Sequence, residues 1–140
     1  MQAIAPDRAW ADIMDTRRSA KEETIMPISS KYLYVVSMDV EPDKEALFNE
    51  VYDTEHVPNI LKVPGVRAAT RMAGEPFTQS IGGKEEKKAH DGPRYTAMYE
   101  IDSPQVLLSP AWKEAAEAGR WPPLVRPHTR NRKHTLYKVR

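Results

Sequence analysis

Two side chains in this sequence have types and spacing suited to proton chemistry. His56 closes the run Tyr52-Asp53-Thr54-Glu55-His56, and imidazole titrates near neutrality, so it gives or takes a proton without help from a metal. Tyr52 stands four residues earlier, one helical turn away on the same face, where its hydroxyl can orient the imidazole or hold a substrate oxygen. The competing role for His56 is structural, as a histidine at a helix C-terminus that interacts with the last carbonyls and the negative end of the dipole. Asp53 and Glu55 read as surface acids of the following turn, either of them able to fix the imidazole tautomer.

Other residues join these as candidate pocket residues. His134 alternates with Leu136, and therefore shares that residue's side of a strand, opposite Lys133 and Thr135. Arg71, Tyr95 and Tyr99 are substrate-binding candidates on strands, while Trp112 and Trp121 flank Gly119 near a helix end, where either can wall a cavity for a planar ligand. The same aromatics also fill cores and subunit interfaces. No metal is expected: His56, His90, His128 and His134 show none of the short separations of a metal-binding motif. The absence of cysteine removes disulfides, thiolate ligands and a cysteine nucleophile.

Composition bounds the partners. With 140 residues the chain fits one domain, and 21 Lys plus Arg against 20 Asp plus Glu leave a net charge of +1, too little for a general attraction to nucleic acid or anionic membranes. No apolar run is long enough to span a bilayer, and the first 23 residues lack the apolar stretch of a signal peptide, so a cytoplasmic location is expected. From Arg120 to Arg140 there are seven cations and no acid, a cluster able to hold a carboxylate. Tyr95, Tyr99 and Tyr137 beside such cations offer a stacking surface for RNA, but the glycine-aromatic signature of an RNA-reading sheet is absent, so nucleic acid is set aside. Most of these cations are expected to pair with acids on the helices.

The elements that must position these residues follow from periodicity. Residues 1–30 differ in texture and read as an N-terminal extension, a tail or docking arm with a short amphipathic helix around Trp10, Ile13 and Met14; residues 31–140 form the domain. Tyr32 to Val40 predicts a strand covered on both faces, and Pro42 to Thr54 an amphipathic helix with Leu47, Phe48, Val51 and Tyr52 inward. Pro58 and Pro64 argue against a long helix through His56 to Lys62. Strands are expected over Val66 to Met72, Arg94 to Ile101 and Arg130 to Val139, with a polar mobile loop over residues 77–92, either a solvated hairpin excursion or a lid. Ser103-Pro104 and Ser109-Pro110 each read as a cap and first-turn proline, Ala111 to Ala118 as a helix, and Trp121-Pro122-Pro123 as an extended connection. The order βαββαβ is the ferredoxin-like α+β plan, a four-stranded antiparallel sheet with two helices on one face. Strands apolar on both faces leave one face to be covered, which predicts a homodimer.

These elements, with Tyr52-Asp53-Thr54-Glu55-His56-Val57-Pro58 ending the first helix and Pro64-Gly65-Val66 opening the next strand, resemble the dimeric α+β barrel superfamily and, within it, the EthD-like branch. The likeness covers roughly residues 31–139 and rests on Tyr52, His56 and Pro58 in a Y-x-x-x-H-x-P arrangement. It implies a homodimeric barrel with one small-molecule pocket per subunit. It also implies metal-free acid/base chemistry on an apolar or aromatic oxygenated metabolite by a lyase, isomerase, cyclase or cofactor-independent monooxygenase, with His56 and Tyr52 as catalytic residues. The expected cofactor is none, with a haem held by a single histidine as the minor alternative. Because the superfamily spans many reactions and some members of no known activity, a non-catalytic hydrophobic-ligand carrier is the alternative function.

Overall fold

The computed structural model describes residues 28–140; the expected helix around Trp10 lies outside them. The first strand, β1 (Tyr32–Val40), leads through a 3-10 turn (Pro42–Lys44) into α1 (Glu45–Val51), a π-helical turn (Tyr52–His56) and α2 (Val57–Leu61), which run on as one helix. Beyond it come β2 (Val66–Ala73), β3 (Phe77–Ile81), β4 (Lys84–Lys88) and β5 (Tyr95–Ile101). A 3-10 segment (Pro104–Leu108), α3 (Pro110–Ala116), a second π-helical turn (Trp121–Val125), a last 3-10 turn (Arg126–His128) and β6 (Thr129–Lys138) complete the chain.

The main sheet has four strands in the order β2-β5-β1-β6, with all three pairings antiparallel. With β5 inserted between them, β1 and β2 are parallel and joined by the long helix, so the α+β arrangement is compatible with the ferredoxin-like plan. Alternation assigns the faces. Val36 and Met38 of β1 and Ala97, Tyr99 and Ile101 of β5 are buried toward the helices, where they meet Phe48, Val51, Ile60 and Trp121. On the opposite face Leu33, Val35 and Met98 are half-buried, Ser37 and Thr96 share a hydrogen bond of 3.0 Å, and Met72 and Tyr137 stay exposed.

Two expectations are corrected, and a third narrows to one of its alternatives. The helix does not stop at Thr54, because the π-turn changes what Pro58 has to satisfy. The Val57 N–H bonds back to the Tyr52 carbonyl, five residues away, and the widened turn makes room for a proline ring that would strike an ordinary α-turn. Of the two alternatives for residues 77–92, the structure shows the hairpin: β3 and β4 pair around a Gly82-Gly83 turn whose φ angles are both positive, +59° and +82°, as a two-residue turn of matching twist requires. Finally, Trp121-Pro122-Pro123 is helical rather than extended, since both prolines fall in the first turn, where their missing N–H groups would have had no partner. Among the described residues no helix is long and apolar enough to cross a membrane.

Candidate functional site

The π-turn puts Tyr52 and His56 on the inner side of the long helix, 3% and 9% exposed. Their rings meet edge to face with centroids 5.2 Å apart, and His56 lies nearly flat on the Trp121 indole, 4.5 Å away at an interplanar angle of 21°. Trp121 is held there by its neighbour. Glu55 accepts from the Arg120 backbone N–H at 2.9 Å and from its guanidinium at 2.5 Å, which fixes the start of the second π-turn against the first. These bonds also hold the Glu55 carboxyl below its ordinary pKa. Gly119 permits the approach, with φ of +70° and an imagined Cβ only 2.6 Å from the Glu55 carboxylate.

A cavity of about 150 Å³ opens beside these rings, lined by Tyr34, Tyr52, His56, Tyr99, Trp112 and Trp121, with Val36, Met38, Ile60 and Ala116 as apolar floor and Arg126, Arg132 and His134 completing the wall. The sheet side is aromatic. Tyr34 stacks with Tyr99 at 6.1 Å and with His134 at 6.2 Å, and its edge meets Trp112 at 5.6 Å. Ser109, the expected cap, accepts from the Trp112 backbone N–H at 3.1 Å and so sets the start of α3.

Electrostatically the site favours neutral forms. Burial, reinforced by the positive charges of Arg126 and Arg132, lowers the pKa of His56 to about 4, and burial likewise lowers that of the more exposed His134. The Tyr34, Tyr52 and Tyr99 hydroxyls are pushed up, in each case chiefly by burial. At neutral pH the cavity therefore presents uncharged imidazoles and phenols, which donate and accept hydrogen bonds. His56 Nδ1 is buried and has no hydrogen-bond partner among the described residues, and a buried polar atom left unpaired costs about 1–3 kcal/mol.

Of the eight residues expected from the sequence, six line this cavity: Tyr52, His56, Tyr99, Trp112, Trp121 and His134. Arg71 and Tyr95 do not. The Arg71 guanidinium lies over the Tyr52 ring at 4.4 Å, on the side away from the cavity, and donates to Asp53 at 2.8 Å and Asn49 at 2.9 Å. Tyr95 donates to Glu45 and receives a long contact of 3.4 Å from Asn49. Both tie the helix to the sheet. The C-terminal-cap role for His56 falls away because the helix continues to Leu61, and Asp53 and Glu55 hold arginines rather than the imidazole.

Tyr34, Arg126 and Arg132 belong to the cavity without having been singled out for it. The available signal was strand alternation, since Arg132 lies two residues before His134 and Tyr34 two before Val36. Of the seven C-terminal cations, Arg120, Arg126 and Arg130 pair among the described residues with Glu50 and Glu55, Glu117, and Glu41. No protein-family model matches the chain, and no curated protein matches its sequence.

Proposed function

We propose that the protein binds a small oxygenated metabolite with a single ring in the cavity lined by His56 and acts on it by metal-free proton transfer, as a lyase, isomerase, cyclase or cofactor-independent monooxygenase. The observation that carries this reading is the buried, partnerless Nδ1 of His56 in an aromatic cavity beside the phenols of Tyr52 and Tyr99. In this reading His56 exchanges the proton with the ligand and Tyr52 holds the oxygen on which charge develops. Tyr99, Trp112, Trp121 and His134 shape the site. The cavity volume of about 150 Å³ is of the size that accepts benzene and falls short of drug-sized pockets, which supports a one-ring ligand, and this reading assigns no step to haem.

The same reading assigns the chain to the EthD-like branch of the dimeric α+β barrels and pairs it with a second copy across the outer sheet face. Supporting it are the strand order, the position of Tyr52 and His56 on the first helix, and the exposure of Met72 and Tyr137 at 42% and 54% on that face. Light scattering at micromolar concentration should give a dimer mass, and a monomer would refute the pairing.

A carrier that returns its ligand unchanged is the second reading, favoured by the low pKa of His56, about 4, which makes the empty protein a weak base. Native mass spectrometry of freshly purified protein, followed by incubation with the co-purified molecule, separates the two. A change in ligand mass that His56→Gln abolishes supports the enzyme, whereas an unchanged ligand supports the carrier.

A further inference from the structure

Among the described residues the cavity wall carries Arg126, Arg132, His56 and His134 and no carboxylate. Arg126 is already paired: its guanidinium donates to both Glu117 oxygens, at 3.0 and 2.8 Å, and to the Ala116 carbonyl at 3.1 Å. Arg132 makes no ion pair among the described residues, although Arg120, Arg126 and Arg130, from the same basic stretch, all do.

Local backbone geometry points to the same residue. Between the paired positions Ser37/Lys133 and Asp39/Arg130, two residues of β6, Asn131 and Arg132, oppose Met38 alone. This is a β-bulge. Asn131 has a φ of +56°, the one positive φ among the described non-glycine residues, and its side-chain amide donates to Asp39 at 2.8 Å. Asp39 also accepts from the Arg94 backbone N–H at 2.8 Å, so the strained turn is fastened to two strands. Bulges of this kind aim a side chain next to a binding site and are retained despite their strain.

We infer that the cavity selects a planar one-ring ligand bearing a single anionic group, a carboxylate in the simplest case, with Arg132 as its charge partner. This rests on the reading of the cavity as a ligand site and adds the ligand's charge to it. Aromatic walls take the ring, and an arginine fork takes the carboxylate oxygens in two parallel hydrogen bonds. The ligand's negative charge meets the Arg132 guanidinium, which is exposed at the cavity rim and has no ion-pair partner among the described residues. Burial is the main cause of the lowered His56 and His134 pKa values, and Arg132 adds to it in both.

Benzoate and benzamide are nearly the same size and differ in charge, so titrating each into the full-length protein by calorimetry tests the assignment. Benzoate should bind about tenfold tighter than benzamide or better, and Arg132→Gln should erase the difference. Lys133→Gln, one residue away on the opposite face of the strand, should keep it. Equal binding of the two probes, or discrimination that survives Arg132→Gln, overturns the anion assignment while leaving the aromatic cavity in place. Failure of both probes to bind removes the ligand site itself.

Discussion

Exchanging His56 for glutamine should change how stability depends on pH, by an amount that follows from burial. The folded imidazole titrates at about 4 against an ordinary 6.5. Between these values the unfolded chain binds a proton that the folded chain refuses. Stability is therefore full above pH 6.5, falls as the solution is acidified, and stops falling on this account near pH 4. At about 1.4 kcal/mol per pKa unit the whole effect is about 3 kcal/mol, of which about 2 kcal/mol is lost between pH 7.5 and pH 5. Carboxylates such as Asp39, Glu41 and Glu117, whose pKa values are lowered by their partners, act at lower pH. His134 contributes with the same sign but is present in both proteins and cancels. Urea unfolding at the two pH values, followed by tryptophan fluorescence, should show wild type losing about 2 kcal/mol more than His56→Gln. The comparison is of slopes, so an overall loss of stability in the variant does not affect it. Equal losses in the two proteins, or an NMR midpoint for His56 near 6.5, would refute the burial on which the site reading depends.

Three further outcomes follow. Gly119→Ala should cost about 1–2 kcal/mol from its left-handed backbone alone, and, because the new methyl meets the Glu55 carboxylate, should loosen Trp121 and shift its fluorescence to the red. Arg71→Met keeps the side chain's bulk but removes its bonds to Asp53 and Asn49 and its charge over Tyr52; a loss of about 1–2 kcal/mol in thermal or urea unfolding is expected, with ligand affinity little changed. Benzoate should raise the pKa of His56 by placing a negative charge in the cavity, so binding at pH 5 should take up protons, seen as a dependence of calorimetric heat on buffer ionisation enthalpy.

Strands were legible because aromatic and β-branched residues are a local signal: the bounds of β1 and β5 agree to within a residue with those the sequence suggests, whereas the faces were not, since β1 is apolar on both. The hairpin was legible only as one alternative for residues 77–92, because Lys84-Glu85-Glu86-Lys87-Lys88 is charged on both faces and carries no period that would fix its strands; its cue was the glycine pair. Pro58 misled for a different reason. A proline's cost is assessed against an α-turn, and a π-turn changes that cost through hydrogen bonds that no single residue announces. At the site, residues found by chemistry reached the cavity when their strand or helix faced inward, as with His134 and Tyr99. Arg71 and Tyr95 face inward too, but on the far side of Tyr52, where polar partners on the helix claim them. Alternation with His134 could have placed Arg132 on the cavity side, but the bulge that precedes it could not be read, since a bulge is set by pairing between strands distant in the chain.

The first π-turn has a consequence for chain length. It absorbs one residue more than α-geometry needs, so Phe48 and Val51 before it and Ile60 after it still face the same core. A chain one residue shorter between Tyr52 and His56 could wind as a plain α-helix and fill that core equally well. The core is thus indifferent to the surplus residue, but the geometry between phenol and imidazole is not, since their spacing would drop from four positions to three. Selection on length at this point would then act through the cavity rather than through folding, and single-residue gaps here would separate chains that share the fold from chains that share the site.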